Sequence, residues 1–494
     1  MRVRQLIPLL SLIPFTAVVP RPIPRPAAQA YLFQHDGVLG TSLDLTFVTS
    51  SPRDAQEAER VALAEIERLR RVISTWDSTS EVSRLVASGS TTTASADLLA
   101  VLKAYGTWHE RSGHAYSARV GSLVKTWRDA QRDGHLPDAG ELAAIVRDVQ
   151  SPAWTIDGAR VTMLTHAPVD LNSLGKGYII DRVVQLVRAK LPSVQGGLVN
   201  IGGDIRSWGN PARGDSAWRV AITDPRRHAD NAAPLTLLHV ADRAVSSSGN
   251  YERGFDIAGK HWSHIIDPRN GYPVDHHIGV TVVARDNATA NALATTLSVL
   301  SAAEGMKLVA ATPGTEAMIV TTAGVMVRSP GFAAYERSAP AAAPVVPAAF
   351  QATISFDATP TEPNRHRPYV AMWITDTSGL HHVRTLAFWG SKPKYQREMS
   401  KWWGLFGTDN TLVDAVTRAT RAVGKYTLEW DGLNQAGAAA PAGLYRFWLE
   451  SAYEDGPHSV KSVIVNCGGA KATGVIDKGA AFGGGEVTCG PGGQ

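Results

Sequence analysis

The sequence predicts a mixed helix-and-strand domain followed by a β-sandwich. The first part of the 494-residue chain mixes helical and strand patterns, and the later part carries short alternating runs. Residues 338–347, SAPAAAPVVP, separate the two parts, and a Pro/Ala stretch of this kind forms a spacer and no core. A chain of this length has room for two or three domains.

Composition excludes several classes of protein. The hydrophobic fraction of 44% and the charged fraction of 19% are those of globular domains. Lys and Arg number 49 against 45 Asp and Glu, and no long basic run accompanies this small excess. Nucleic acid is therefore not an expected partner.

The first 30 residues have the order of a secretory signal peptide. Arg2 and Arg4 precede an apolar stretch over residues 6–19, and Ala28-Gln29-Ala30 ends the segment with small residues. We expect cleavage after Ala30 and an exported protein, periplasmic or otherwise extracytoplasmic. The alternative is a retained anchor, although the apolar stretch is shorter than a bilayer span, and no later segment is a candidate.

The first domain is assigned to residues 31–335. Helices are predicted from the cap formed by Asp54 and Glu57, over residues 94–109 and 137–149, and from a Gly-Lys-Gly turn over 174–191. Strands are predicted over residues 41–48, 198–201, 218–222 and 279–283.

The second domain follows a linker assigned to residues 336–348 and extends over residues 349–470. Its strands are predicted at 350–356, 369–374, 383–388, 426–430, 445–452 and 460–465, a spacing typical of a sandwich. Residues 471–494 are expected to form a loosely ordered Gly-rich tail. The two cysteines of the chain, Cys467 and Cys489, are expected to form a disulfide in an exported protein; two free thiols are the alternative.

Two Gly-bearing segments of the first domain suit an anionic ligand. In residues 169–181, VDLNSLGKGYIID, Lys176 stands at a helix start, where N–H groups and the helix dipole favour phosphate. This segment lacks the Walker A spacing, and a simple cap and turn explains it equally well. In residues 197–209 the Gly202-Gly203 pair before Asp204 is explained by a tight hairpin alone.

Two further segments carry polar side chains at useful spacing. In residues 263–274, His264 and Asp267 flank two apolar residues and are expected to face one crevice. In residues 284–300, Asn291 and Thr295 lie four apart on a helix and offer two oxygen ligands to a hard cation. An ordinary turn and an ordinary capped helix are the alternatives.

Together the segments resemble the ApbE family of flavin transferases. The resemblance covers residues 39–322 and rests on eight stretches in one order: LGTSLDLTF, STWDSTSEVSRL, YSARVGSLVKTW, VDLNSLGKGYIID, VNIGGDIRSWG, AVSSSGNYER, SHIIDPRNGYPV and ANALATTLSVL. It implies a T-fold-like α+β domain of mixed helices and antiparallel sheet, here followed by an immunoglobulin-like β-sandwich.

The resemblance also implies a set of site residues. Those expected to contact FAD are Leu39, Trp76, Ser117, Ala118, Arg119, Asp170, Lys176, His264 and Ile265. Magnesium is expected on Ser173 or the Gly175 carbonyl, with Asn291 and Thr295. Asn291 stands where the family has Asp, so weaker magnesium binding is expected unless Asp286 substitutes. His264 and Asp267 are the candidate general bases.

The activity implied is magnesium-dependent transfer of FMN from FAD to a Thr or Ser hydroxyl of an exported redox protein, with release of AMP. A metal-dependent FAD pyrophosphatase and a non-catalytic flavin carrier are the alternatives. The second domain resembles an exported domain of unknown function that often follows ApbE modules. Its segment DAVTRAT, residues 414–420, is similar to a flavinylation site, which makes Thr420 a candidate acceptor in the same chain.

Overall fold

A computed structural model of the chain describes two regions joined across the Pro/Ala stretch. The described residues are 27–167, 169–212, 216–227, 229, 231, 232, 234–249, 254–337, 350–358, 369–389, 401, 415–417, 424–453, 457–479 and 482–491. All statements below concern these residues. Thr420 lies outside them, and so does most of the expected signal peptide.

All the α-helices in the described residues belong to the first region, apart from a helical assignment at position 401. In chain order they are α1 (Pro52–Ile73), α2 (Glu81–Ser88), α3 (Ala96–Arg111), α4 (Gly121–Asp133), α5 (Ala139–Gln150), α6 (Asn172–Lys190), α7 (Asn287–Val299) and α8 (Ala302–Ala310). None of the helices in the described parts of the chain has the length and apolar character needed to cross a membrane.

The start of α1 differs from the prediction. Ser51 is its N-cap, because the Ser51 hydroxyl accepts a hydrogen bond from the Asp54 N–H at 3.1 Å, and Pro52 occupies the first turn. Asp54 therefore lies inside the helix, where a carboxylate still favours the positive end of the dipole.

The strands of the first region form one large sheet and several small ones. In chain order they are β1 (Gln29–Val38), β2 (Thr41–Thr49), β3 (Thr91–Thr93), β4 (Trp154–Asp157), β5 (Arg160–Met163), β6 (Gly196–Ile201), β7 (Asp204–Trp208), β8 (Trp218–Ile222), β9 (Thr236–Val240), β10 (Ala244–Gly249), β11 (Gly254–Ile257), β12 (Lys260–Ser263), β13 (His277–Ala284), β14 (Glu316–Thr321), β15 (Met326–Arg328) and β16 (Glu336–Arg337). The large sheet is antiparallel with the order β1-β2-β6-β7-β10-β13-β14-β15. The predicted class of mixed helices and antiparallel sheet is confirmed.

The large sheet buries both faces. Apolar residues of α1, α3, α6 and α7 pack on one face in the main core, and the small β8–β9 sheet packs on the other through a second core that includes Trp218 and Phe332. Helices α4 and α5 pack with β11 and β12 around Trp127 in a separate cluster. The main core and this cluster therefore provide two different walls for a cleft.

The second region is a sandwich, as predicted. Its strands, preceded in one case by a short strand that pairs with the first region, are β17 (Phe350–Asp357), β18 (Tyr369–Thr375), β19 (His382–Trp389), β20 (Ala415–Thr417), β21 (Lys425–Trp430), β22 (Gly443–Ala452), β23 (His458–Cys467), β24 (Ala472–Ile476) and β25 (Gly484–Pro491). Two antiparallel sheets, β21-β17-β25-β24 and β19-β18-β22-β23, enclose one core. Strand β20 instead pairs in parallel with β8.

The expected Gly-rich tail is wrong for most of residues 471–494. Strand β25 pairs with β17 on one side and with β24 on the other, so it lies inside a sheet. Val487 and Cys489 point into the core, and Cys489 forms a disulfide with Cys467 at a Cα separation of 5.3 Å. Backbone pairing and two buried side chains are enough to hold a strand whose other residues are small or polar.

Two expected boundaries also differ from the observed elements. Strand β1 begins at Gln29, before the expected cleavage point, and pairs along its length with β2. Glu336 and Arg337, expected to begin the linker, pair with β9 as the last strand of the first region.

Candidate active site

A cleft of about 1990 Å³ opens between the main helical layer and the cluster around α4 and α5. Segments far apart in sequence line it, including the β1–β2 turn, the loop after α1, the start of α6 and one face of α7. Of the residues that the sequence singled out, those on the cleft wall are Leu39, Trp76, Ser117, Asp170, Ser173, Gly175, Lys176, His264, Ile265, Asn291 and Thr295.

Helix α6 directs its first turn at the cleft. The Asp170 carboxylate accepts a hydrogen bond from the Asn172 N–H at 2.8 Å, which forms a turn just before the helix. Burial raises the pKa of Asp170, and the Asn172 hydrogen bond opposes that rise. The cleft therefore receives a helix N-terminus together with a carboxyl group whose charged form is disfavoured by burial.

Gly177 sets the position of α6 against α7. A Cβ atom at residue 177 would lie 2.6 Å from the Asn287 carbonyl oxygen, too close for any other side chain. One turn later, the Asp181 carboxylate accepts hydrogen bonds from the Asn287 N–H at 2.8 Å and the Ala288 N–H at 2.9 Å. This contact fixes the start of α7 and so aligns Asn291 with the start of α6.

Lys176 forms an ion pair with Asp204, and both side chains are largely buried. Asp204 follows the Gly202-Gly203 turn, in which both glycines have positive φ. The Asn200 side chain holds that turn through its Oδ1, which accepts from the Gly203 N–H at 2.9 Å. The hairpin predicted for this segment therefore also delivers the partner of the cleft lysine.

Two tyrosines occupy the Ser173 hydroxyl. Tyr105 Oη lies 3.1 Å and Tyr116 Oη 2.8 Å from Ser173 Oγ, and the two rings stack at a centroid distance of 5.1 Å. Burial raises the pKa of both tyrosines, so both hydroxyls stay protonated. The sequence analysis missed Tyr105; Tyr116 belongs to the YSARVGSLVKTW stretch but was not singled out.

Asn291 and Thr295 lie one turn apart on α7 and both reach the cleft; Asn291 is largely buried. Asp286, considered as a substitute ligand, is the N-cap of α7 and accepts from the Thr289 N–H at 2.8 Å. Within the described residues it lines a different, smaller pocket with Asp181 and Arg206. The oxygen donors that face the cleft from α7 are therefore an amide and a hydroxyl.

The segment after β12 brings His264 to the cleft and engages Asp267 elsewhere. The Asp267 carboxylate accepts from Arg269 Nε at 2.9 Å and from Arg269 Nη2 at 2.7 Å, and the Asp267 carbonyl closes the turn with the Gly271 N–H at 2.8 Å. Asp267 is buried and is not on the cleft wall. Its observed contacts are those of a residue that shapes the loop.

Ser117, Ala118 and Arg119 divide between the cleft and the layer behind it. Ser117 lines the cleft, whereas the Ala118 carbonyl accepts from the Asp170 N–H at 2.6 Å. Arg119 is 3% exposed and pairs with Asp148 on α5. Arg119 therefore ties α5 to this loop and does not face the cleft.

Leu39 and Trp76 are exposed to the cleft in unusual ways. Leu39 has φ of 51° and is followed by Gly40 with φ of 77°, so a leucine occupies the left-handed region of a tight turn. Trp76 is 80% exposed. Its loop is held by an ion pair between Asp77 and Arg70 at 2.8 Å, so the indole is presented from a fixed backbone.

The fold and the cleft together define a protein that binds an extended, partly anionic ligand between two layers. The ApbE family profile matches residues 39–319, more than half of the chain, and the chain belongs to the ApbE family. Residues 351–483 match a family described as "Predicted periplasmic protein (DUF2271)". The family resemblance read from the sequence is confirmed.

Curated relatives agree with this assignment. A FAD:protein FMN transferase of Klebsiella pneumoniae is 31% identical over 42% of this chain, and the alignment covers 63% of that protein. Another from Vibrio cholerae is 29% identical over 60% of this chain and 89% of that protein.

Solved structures agree as well. The ApbE protein of Thermotoga maritima has a TM-score of 0.54 at 27% identity, over 63% of this chain and 100% of its own. The apo flavinyl transferase ApbE of Pseudomonas stutzeri has a TM-score of 0.54 at 26% identity, over 62% of this chain and 97% of its own.

Proposed function

We propose that this chain transfers FMN from FAD to a Thr or Ser hydroxyl of an exported acceptor protein, with magnesium as cofactor and AMP as the second product. The observation that carries the proposal is that one cleft combines a flavin-sized apolar end, a buried cation and a cluster of oxygen donors. The relatives named FAD:protein FMN transferase support it.

The size of the cleft supports a reaction with two large substrates. Pockets for drug-sized ligands have volumes of about 300–1,000 Å³, and this cleft measures about 1990 Å³. It has room for a dinucleotide together with a segment of a second protein. A site for a small metabolite alone would not need this volume.

The flavin ring is assigned to the end formed by Trp76, Leu39 and Ile265. An indole that is 80% exposed offers a flat apolar face at little conformational cost, because its loop is already fixed. Stacking of the isoalloxazine on Trp76 would remove apolar surface of both partners from water.

The diphosphate is assigned to Lys176 and the start of α6. Anions favour a helix N-terminus, and Lys176 adds a full positive charge there. Asp204 now neutralises that charge, so a bound diphosphate would share Lys176 with it. Asp170, with its raised pKa, can present a hydroxyl hydrogen to a polar group of FAD.

The proposed magnesium ligands are the Gly175 carbonyl, Asn291 Oδ1 and the Thr295 hydroxyl. These donors are all oxygens, which suits a hard cation, but they carry no charge, so the anionic FAD must complete the set. Ser173 is the weaker of the two alternatives, because its hydroxyl already contacts two tyrosine hydroxyls. When bound, magnesium would neutralise charge on the phosphates.

In the proposed reaction the acceptor oxygen forms a bond to the FMN phosphorus, and the bond from that phosphorus to the AMP oxygen breaks. The acceptor proton passes to His264, the base candidate on the cleft wall, and AMP leaves with the bonding electron pair. Asp267 is assigned a positioning role, because Arg269 occupies its carboxylate.

The remaining assignments concern the chain as a whole. We propose export to the periplasm or another extracytoplasmic space, supported by the match to a predicted periplasmic family, and an exported redox protein as acceptor. Residues 31–335 would form the transferase domain and residues 349–491 the sandwich. Thr420 stays a candidate acceptor from the sequence alone.

The experiment that tests the proposal uses the full chain with FAD, magnesium and a protein substrate of the Vibrio cholerae relative. Intact-mass analysis of both proteins and chromatography of the nucleotides give three distinct results. An FMN adduct on either protein with stoichiometric AMP supports transfer. Free FMN and AMP without an adduct replaces transfer by hydrolysis, and intact FAD replaces it by flavin binding alone.

Matched variants locate the reaction in this cleft. Lys176→Met and Thr295→Ala should each reduce adduct formation, because the first removes the cation and the second removes an oxygen donor. His381→Ala in the sandwich, where the imidazole is 82% exposed, should leave the rate unchanged. Equal rates for all three variants would contradict the assignment of this cleft.

A further inference from the structure

A second group of metal-ligating side chains lies at the end of α3, apart from the oxygen donors of the cleft. It consists of His109, Glu110 and His114, and one ligand atom from each lies within 4.8 Å of the others. The proposed transferase reaction makes no use of these side chains.

The backbone folds back to bring these residues together. Gly113 has φ of 60° and His114 has φ of 67°, and the His114 N–H donates to the His109 carbonyl at 2.9 Å. The two imidazole rings consequently face each other at a centroid distance of 4.3 Å. A non-glycine residue at positive φ is uncommon and is held there by its surroundings.

The hydrogen bonds of the rings determine which nitrogens carry hydrogen. His109 Nδ1 lies 2.8 Å from the Tyr116 carbonyl oxygen, which can only accept, so His109 Nδ1 is the donor. Gln150 Nε2 donates to the Pro268 carbonyl at 2.8 Å, so the amide oxygen is the atom that faces His114. His114 Nδ1, 3.0 Å from that oxygen, is therefore also a donor.

It follows that both neutral rings present a bare Nε2 lone pair toward the cluster. Two lone pairs beside a carboxylate form an arrangement that favours a cation between them. In metal sites a histidine ligand typically donates its other ring N–H to a carbonyl or carboxylate, and His109 and His114 each already do so with an oxygen acceptor.

We propose that His109 Nε2, His114 Nε2 and the Glu110 carboxylate form a binding site for a zinc-class transition metal ion. Two imidazoles and one carboxylate suit zinc, whereas magnesium prefers oxygen ligands alone. His114 Nε2 lies 3.9 Å from Glu110 Oε2, and the Glu110 side chain is 76% exposed. A small rotation of this exposed side chain closes the set, and water fills the fourth position.

The outer contacts connect this site to two walls of the cleft. His109 bonds to Tyr116, and His114 reaches Pro268 through Gln150; Tyr116 and Pro268 both line the cleft. A bound ion would hold both rings in the tautomers that make these contacts. The site thus braces the junction of α3, α5 and the loop after β12.

The test measures zinc binding to the full-length protein after removal of any affinity tag, by competition with a chromophoric chelator in excess magnesium. One zinc ion should bind per chain. His109→Ala and His114→Ala should each weaken that binding by at least about a hundredfold, more than the loss typical of an outer contact. Anomalous diffraction at the zinc edge should place the ion between the two rings.

Two further variants separate a specific site from general binding by histidines. Gln150→Ala keeps all three ligands but removes the acceptor of His114, so affinity should fall by about tenfold to a hundredfold. His381→Ala, which removes an exposed imidazole paired with Asp376, should leave affinity unchanged. Zinc binding that both ligand variants retain, or an ion located at another site, would overturn the proposal.

Discussion

Replacement of Trp76 by alanine should weaken FAD binding without changing the stability of the protein. The indole is 80% exposed, so its removal costs little buried surface in the folded state. Exposed substitutions of this kind alter the free energy of unfolding by no more than about 0.5 kcal/mol. The indole side chain should matter only when a ligand covers it.

The expected loss follows from the exposed area. A Trp side chain offers about 200 Å², and coverage of one face of an indole that is 80% exposed would bury about 80 Å² of it. At about 25 cal/mol per Å², this burial contributes about 2 kcal/mol. That free energy corresponds to about a thirtyfold increase in the Kd for FAD.

Isothermal titration calorimetry with EDTA present measures FAD binding without turnover. Trp76→Phe keeps an aromatic face of smaller area and should raise Kd by only about threefold. Leu380→Ala is the matched control, because Leu380 is also an exposed apolar residue, at 70%, and lies in the sandwich. A Trp76→Ala protein with the Kd of the unmodified chain would refute the assignment of the flavin to this end of the cleft.

Three further predictions concern the helices that line the cleft. Asn291→Asp should shift magnesium dependence of the reaction to about tenfold lower concentration, because a carboxylate adds charge to the donor set; an unshifted titration would exclude Asn291 as a ligand. Burial raises the pKa of Asp181 to about 7, so the stability it contributes is fully present below about pH 4 and is lost as the pH rises through 7. Asp181→Asn should therefore flatten the fall in urea-unfolding free energy between pH 4 and 8, and an unchanged slope would contradict the assigned pKa. Gly177→Ala should destabilise the protein by about 1–3 kcal/mol, because its Cβ meets the Asn287 carbonyl. Gly106→Ala in α3, where a Cβ meets nothing within 4 Å, should be neutral or stabilising in the same urea experiment.

Much of the fold could be predicted because its signals are local. The alternating runs of the sandwich match β17, β18, β19, β21, β22 and β23 to within a few residues. Alternation of this kind states which side chains face a core, and six such runs leave few arrangements other than two packed sheets. The prediction erred at the end of the chain, where β25 has only Val487 and Cys489 as buried side chains.

The composition of the cleft could be predicted in outline and its internal contacts could not. Lys176, Asn291 and Thr295 were identified by their spacing on helices and by the family resemblance, and all three line the cleft. The side chains that neighbour them come from distant parts of the chain. No periodicity in the sequence links Lys176 to Asp204, because that contact depends on how a hairpin sits beside a helix.

The sequence by itself determined the family, the order of the two regions and the positions of most helices and strands. These properties depend on local periodicity, on turn residues and on motifs that recur in a fixed order. The tertiary structure alone decided that Ser173 is engaged by two tyrosines, that Asp267 pairs with Arg269, and that β25 lies inside a sheet. Such outcomes depend on competition among all partners that packing brings within reach, and a linear pattern does not contain those distances.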